Sequence, residues 1–193
     1  MPGANNRLVV GVLGSPRPRG NSDLLLDRAL EGAREAGAEA TKVSLSALDF
    51  KPCNGCNACL EDGECVISDD LQRLYELFDR AEVVIVASPI YFSGLSTLTK
   101  MMIDRCQCLW ARREVLGRPH DRHKGAFIAV GGDTEAVFRH AVGEMKAFFS
   151  GIGIDYSAEI LLAGVEKHGD VVNHPSALAD AHRLGHALLS STE

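Results

Sequence analysis

Hydrophobic positions along the chain alternate between two kinds of pattern. Residues 7–13 are apolar on both faces, with Leu8, Val9, Val10, Val12 and Leu13 interrupted only by Gly11. That is the pattern of a central parallel strand covered by helices on either side. Beyond it, Leu26, Ala29, Leu30 and Ala33 recur at i, i+3, i+4 and i+7, one face of a helix that Asn21 or Ser22 can cap and Gly37 can end. Residues 41–45 alternate, Val43 and Leu45 one way, Lys42 and Ser44 the other, which suits an edge strand. Residues 46–67 show no period and read as irregular. Ser68 and Asp69 can start the next helix, whose inner face carries Leu71, Leu74, Tyr75 and Phe78. Residues 82–87 repeat the doubly apolar strand pattern, 88–94 form a loop, and 95 to about 112 form a helix. After a charged connector at 113–124 come a strand at 125–130, a helix marked by Val137, Ala141, Met145 and Phe148, and a strand near 155–162. A last helix opens after Pro175 and carries Ala177, Ala181, Leu184 and Leu188 inward.

The order βαβαβαβαβα predicts one α/β domain over residues 1–193, with a parallel sheet and helices on both faces. Such sheets bind ligands beyond the carboxyl ends of their strands. The loops at 14–22, 88–94 and 131–134 each follow a strand and should rise from one rim. The net charge of −6 argues against a nucleic-acid partner. No apolar run is long enough to cross a bilayer, and residues 1–7 lack the apolar stretch of a signal peptide. A cytoplasmic, reducing location with no membrane partner is the expectation. There, six cysteines read as thiols, metal ligands or redox groups rather than disulfides.

Gly14-Ser15-Pro16-Arg17-Pro18-Arg19-Gly20-Asn21-Ser22 joins the first strand to the first helix. A helix N-terminus offers unpaired N–H groups and positive partial charge. Ser15, Asn21 and Ser22 add polar donors, and Arg17 and Arg19 add charged ones, so the loop suits a phosphate. It lacks the Gly-Lys-Ser/Thr of a P-loop and the G-x-G-x-x-G of a dinucleotide fold. An ordinary solvated turn is the competing reading.

Cys53, Cys56, Cys59 and Cys65 give C-x2-C-x2-C-x5-C in an irregular segment at about 50–67, a spacing that suits a metal or cluster. Gly55 and Gly63 would help the backbone wrap it. Cys106 and Cys108 point to different sides of a helix and read as packed thiols. His120 and His123 have no obvious third metal ligand and read, with His168 and His174, as surface residues. Asp69 and Asp70 read as helix-start charges.

Together the three rim loops resemble those of the NADPH-dependent FMN reductase group, whose superfamily includes the iron-sulfur flavoproteins. The resemblance rests on Gly14-Ser15-Pro16-Arg17 with Gly20-Asn21-Ser22, on 88–94 followed by Lys100-Met101-Met102-Ile103-Asp104-Arg105, and on Gly131-Gly132-Asp133. It implies a flavodoxin-like three-layer sandwich with a five-stranded parallel sheet of order 2-1-3-4-5. It also implies FMN phosphate contacts from Ser15, Arg17, Asn21 and Ser22. Pro89, Ile90, Tyr91, Phe92 and Gly94 would line the ring and ribityl chain, with Gly131, Gly132 and Asp133 as the third flavin loop. Iron-sulfur flavoproteins hold a [4Fe-4S] cluster on a compact cysteine motif, but relatives without a cluster share the form of 52–70. A cluster, a cluster-free loop and structural zinc therefore stay open. The implied activity is an FMN-dependent oxidoreductase that takes hydride from NAD(P)H. Electrons would leave to a small acceptor or, through a cluster, to a ferredoxin-like protein. The alternative is an electron carrier without a substrate site. A homodimer or tetramer is expected, and no catalytic side chain is named.

Overall fold

The computed structural model describes residues 7–119, 121–132 and 134–190; His120 and Asp133 lie outside the described residues. Strand β1 (Leu8–Leu13) leads to α1 (Asn21–Glu35) and edge strand β2 (Glu39–Ser44). The cysteine-rich segment holds only the short α2 (Cys59–Asp62) before α3 (Gln72–Arg80), β3 (Val83–Tyr91) and the two-residue β4 (Gly94–Leu95). Then follow α4 (Thr97–Arg105), α5 (Gln107–Trp110), a π-helical turn (Ala111–Val115), β5 (His123–Val130), α6 (Arg139–Gly151), β6 (Ile154–Leu162) and α7 (Ala177–Leu189).

The sheet has six strands rather than five. Its parallel strands run β2-β1-β3-β5-β6, which is the expected order, while β4 pairs antiparallel with the end of β3. The segment expected as a loop at 88–94 is therefore mostly strand. Its tight turn puts Phe92 and Ser93 at φ 50° and 61°, the left-handed geometry that two-residue hairpins require. The helix expected to run from 95 to about 112 is broken near Cys106 (ψ 6°) and passes into the π-helical turn.

The doubly apolar strands divide their side chains between two cores. Val9, Leu13, Val83, Ile85 and Ile128 pack under α1 and α7. Val10, Val12, Val84, Val86 and Phe127 pack under α3, α4 and α6. The α1–α7 contact depends on glycine. A Cβ at Gly185 would lie 1.8 Å from the Ala29 carbonyl oxygen, so the backbones must part to admit one. Gly185→Ala is expected to cost about 1–3 kcal/mol by overpacking, read as a lower urea midpoint; an unchanged midpoint would mean the helices stand further apart.

Helix α1 stops as its sequence indicated. Gly37 is left-handed (φ 90°), and the Ala38 N–H donates to the Ala33 carbonyl at 3.1 Å, a Schellman ending. Its start differs: Gly20 occupies the cap position and no side chain caps it. No helix among the described residues is long and apolar enough to cross a membrane.

Candidate functional site

A cleft of about 250 Å³ opens beyond the carboxyl ends of β1, β3 and β5. Ser15, Arg17, Gly20, Asn21 and Ser22 form one wall, Pro89, Ile90 and Tyr91 a second, and Val130, Gly131 and Gly132 a third. Three expected residues among those described lie outside these walls. Arg19 is left-handed (φ 55°) and its N–H donates to the Asp23 carboxylate at 2.6 Å. Phe92 is fully exposed at the hairpin tip, and Gly94 pairs with Tyr91.

The α1 end of the cleft is rich in donors. The N–H groups of Asn21, Ser22 and Asp23 have no partner among the described residues, because no residue caps the helix. Ser22 is buried, and neither its hydroxyl nor the Arg17 guanidinium makes a hydrogen bond among the described residues. The Arg17 N–H donates to Ser15 Oγ at 3.2 Å, and the Gly20 N–H closes the turn on the Arg17 carbonyl at 3.2 Å. A helix start with spare donors and a nearby cation has the chemistry to hold an anion.

Asn21 differs from expectation. Its side-chain amide donates to the carbonyls of Val165 (3.2 Å) and Lys167 (2.9 Å), and its Oδ1 accepts from the Val171 N–H at 3.1 Å. It therefore ties down a fourth wall, carrying Val165, Glu166 and His168. His168 Nε2 is 2.9 Å from the Pro18 carbonyl oxygen and adds to this tie. Sequence reasoning missed that wall; His168 is exposed, as read, but also lines the cleft, and Gly164 and Gly169, both left-handed at φ 73°, were the wall's only local signs.

A buried polar girder holds the walls in register. Ser96 Oγ donates to the Gly14 carbonyl at 2.7 Å and accepts from the Thr99 N–H at 3.2 Å, capping α4. Thr99 Oγ1 donates to Ser88 Oγ at 3.1 Å, and Ser88 donates to the Pro89 carbonyl at 3.0 Å. Gly14 has no room for a side chain, since a Cβ there would lie 1.8 Å from Thr99 Oγ1. At the far end, Gly131 has φ 139° and a Cβ would meet the Ile90 carbonyl oxygen at 3.0 Å. These features fit a nucleotide with an anionic tail and a flat, largely apolar ring.

Comparison with known proteins agrees with that chemistry. Residues 8–159 match the family model described as NADPH-dependent FMN reductase. The sequence is 35% identical over 184 residues to an iron-sulfur flavoprotein of Methanocaldococcus jannaschii, covering 92% of this chain and 93% of the relative. The chain belongs to the NADPH-dependent FMN reductase family. It is an FMN-dependent oxidoreductase. A Bacillus subtilis protein named as an inferred NAD(P)H-dependent FMN-containing oxidoreductase is 28% identical over 174 residues, 89% of this chain and 92% of the other. The fold also matches an NAD(P)H:quinone oxidoreductase from Methanothermobacter marburgensis with a TM-score of 0.72, covering 95% of this chain and 99% of that one. At 21% identity, that likeness carries the fold alone.

This FMN reductase family member has a second hollow, of about 560 Å³, lined by Cys53, Cys56, Cys59 and Cys65. Cys53 and Cys56 are exposed, the other two half-buried, and all four are free thiols. Burial pushes the Cys59 thiol up, and the neighbouring Cys65, Cys53 and Cys56 add to that rise. Gly55 (φ 69°) and Asn57 (φ 61°) turn the backbone between them. Among the described residues, no group of three or more His, Cys, Asp or Glu side chains is already gathered to hold a metal ion. The donor set and shared hollow fit a thiolate-bound group in kind and in place; the thiols would have to close upon it. Cys106 and Cys108 are buried, which raises the first well above a normal thiol and the second to about 11; they stay protonated and serve packing.

Proposed function

We propose that FMN lies in the cleft with its phosphate at the α1 N-terminus and its isoalloxazine between residues 89–91 and Gly131–Gly132. The observation that carries this reading is the convergence on one cleft of α1 N–H groups, the Ser22 hydroxyl and the Arg17 guanidinium, none with a partner among the described residues. Ser15 orders the turn and faces the same anion. Asn21 contributes its backbone N–H, because its amide is engaged elsewhere. Arg19 contributes charge at longer range, while Phe92 and Gly94 shape the hairpin that presents Tyr91. Gly131 lets the backbone approach the flat face of the ring. Bound FMN supplies hydride acceptance at N5 and release of electrons singly or in pairs.

NAD(P)H is the hydride donor in this reading, supported by the family description and by the name of the Bacillus relative. Electrons leave to a small acceptor such as a quinone, free flavin or metal ion. A [4Fe-4S] cluster on Cys53, Cys56, Cys59 and Cys65 offers a second exit, toward a ferredoxin-like protein; the names of the archaeal relatives support it. Tyr91 and the exposed Phe92 flank an open cleft, and association as a homodimer or tetramer over that hairpin would shield the ring.

Two measurements test the reading. Mixing anaerobic FMN-loaded protein with NADH or NADPH is expected to bleach the flavin within one turnover. Bleaching only by reduced ferredoxin would instead make the protein an electron carrier. Anaerobically purified protein is expected to hold about four iron and four sulfide per chain. Zinc without iron, or neither metal, would leave the hollow to one of the other two occupants.

A further inference from the structure

Among the described residues Arg105 is the most deeply buried charge, with its side chain at 0% exposure. It spans the cysteine-rich loop. Nη1 donates to the Lys51 carbonyl at 2.7 Å and to Asp69 Oδ2 at 2.6 Å. Nη2 donates to the Ile67 carbonyl at 3.1 Å and to Asp69 Oδ1 at 3.1 Å. Both stems of the loop are thereby fastened to the end of α4. Asp69 neutralises the guanidinium, so what remains unused is a directional donor rather than a bare charge.

That donor is Nε. Among the described residues it is the one fully buried side-chain nitrogen or oxygen without a hydrogen-bond partner. Leaving such a group unmade costs about 1–3 kcal/mol, and buried donors are otherwise nearly always satisfied. Arg105 lines the same hollow as the four cysteines. Burial lowers the Arg105 guanidinium, but Asp69 and, less strongly, Tyr75 and Cys65 raise it, while Nε itself makes no hydrogen bond. The chemistry explains the gap: a neutral thiol is a weak acceptor, whereas an anionic, metal-bound sulfur is a strong one.

We propose that Arg105 Nε–H donates a hydrogen bond to the Cys65 sulfur once that sulfur binds a [4Fe-4S] cluster. Arg105 is then a positioning residue with two effects: it fixes the span of the loop, and it raises the cluster's reduction potential. Hydrogen bonds to cluster sulfurs stabilise the reduced, more negative state. The inference rests on the cluster reading of the hollow.

The test uses whole protein labelled with 15N-arginine, purified anaerobically and reduced. Pulsed electron paramagnetic resonance on the cluster signal is expected to show a 15N coupling. Arg105→Lys keeps the positive charge but removes Nε. It is expected to lose that coupling and to shift the cluster's redox equilibrium at least about tenfold toward the oxidised form, about 59 mV lower for one electron. If Arg105→Lys fails to fold, the wild-type coupling decides alone. Iron- and sulfide-loaded wild type without an arginine coupling, or Arg105→Lys with an unchanged potential, overturns the inference while leaving the cluster standing. Protein without iron and sulfide overturns the cluster reading, and this inference with it.

Discussion

Asp69→Ala is expected to destabilise the protein by about 3–5 kcal/mol, the cost of leaving a buried guanidinium without its counter-ion. The Asp69 side chain is 9% exposed and its partner Arg105 wholly buried. The carboxylate also accepts the Lys51 N–H at 3.0 Å and the Leu71 N–H at 3.1 Å. The substitution therefore strips two backbone donors as well as the cation, at both stems of the cysteine-rich loop. Urea unfolding of wild type and variant reads the difference, and a loss below about 1 kcal/mol would show the pair to be solvated. Asp69→Ala combined with Arg105→Leu should recover much of the loss, because the orphaned charge is then gone.

The pH dependence of that difference follows from the same contacts. Burial alone would raise the Asp69 carboxyl, but bonds from Arg105, Lys51 and Leu71 outweigh it and hold the group below the usual carboxylate range. A depressed folded-state value means that the stabilisation is complete above the unfolded-state value and is lost as pH falls through the folded one. The gap between wild type and Asp69→Ala should be flat near neutrality and narrow below about pH 4. A gap that narrowed on raising the pH would contradict the assignment.

Arg17→Glu is expected to weaken FMN binding at least about 100-fold, or about 2.8 kcal/mol, while leaving the fold intact. Arg17 is exposed and its guanidinium has no partner to lose among the described residues. Reversal removes a charge-assisted donor and sets a carboxylate against the phosphate, beside a helix start whose N–H groups remain. Riboflavin, which has no phosphate, supplies the control: its affinity should change by less than about threefold. Equal losses for both ligands would place Arg17 on the ring or would mean that the cleft has collapsed.

The parts of the fold set by local pattern were legible in the sequence. Doubly apolar β1 and β3, and the i, i+3, i+4 face of α1, follow from burial alone, and with them the parallel sheet; the order of its five long strands came from the family resemblance. The two-residue β4 was not legible, since two residues carry no period; nor was the break at Cys106, where no glycine or proline marks the change of helical geometry. The rim loops were readable because each follows a strong strand, and the structure brings Ser15, Arg17, Asn21, Ser22, Pro89, Ile90, Tyr91, Gly131 and Gly132 onto one cleft. What stayed hidden was long-range. Asn21 looks like a helix cap, but its amide spends itself on residues 144–150 positions away. Asp69 looks like a helix-start charge, yet it answers to Arg105, 36 residues on. Such pairings leave no trace in a local window.

One titration bears on the whole account most directly: flavin-stripped wild-type protein with FMN and, separately, with riboflavin, followed by calorimetry. One FMN per chain with riboflavin at least about 100-fold weaker is the predicted outcome, because the α1 donors act on the phosphate. Equal affinity for the two flavins, or no binding of either, would contradict it.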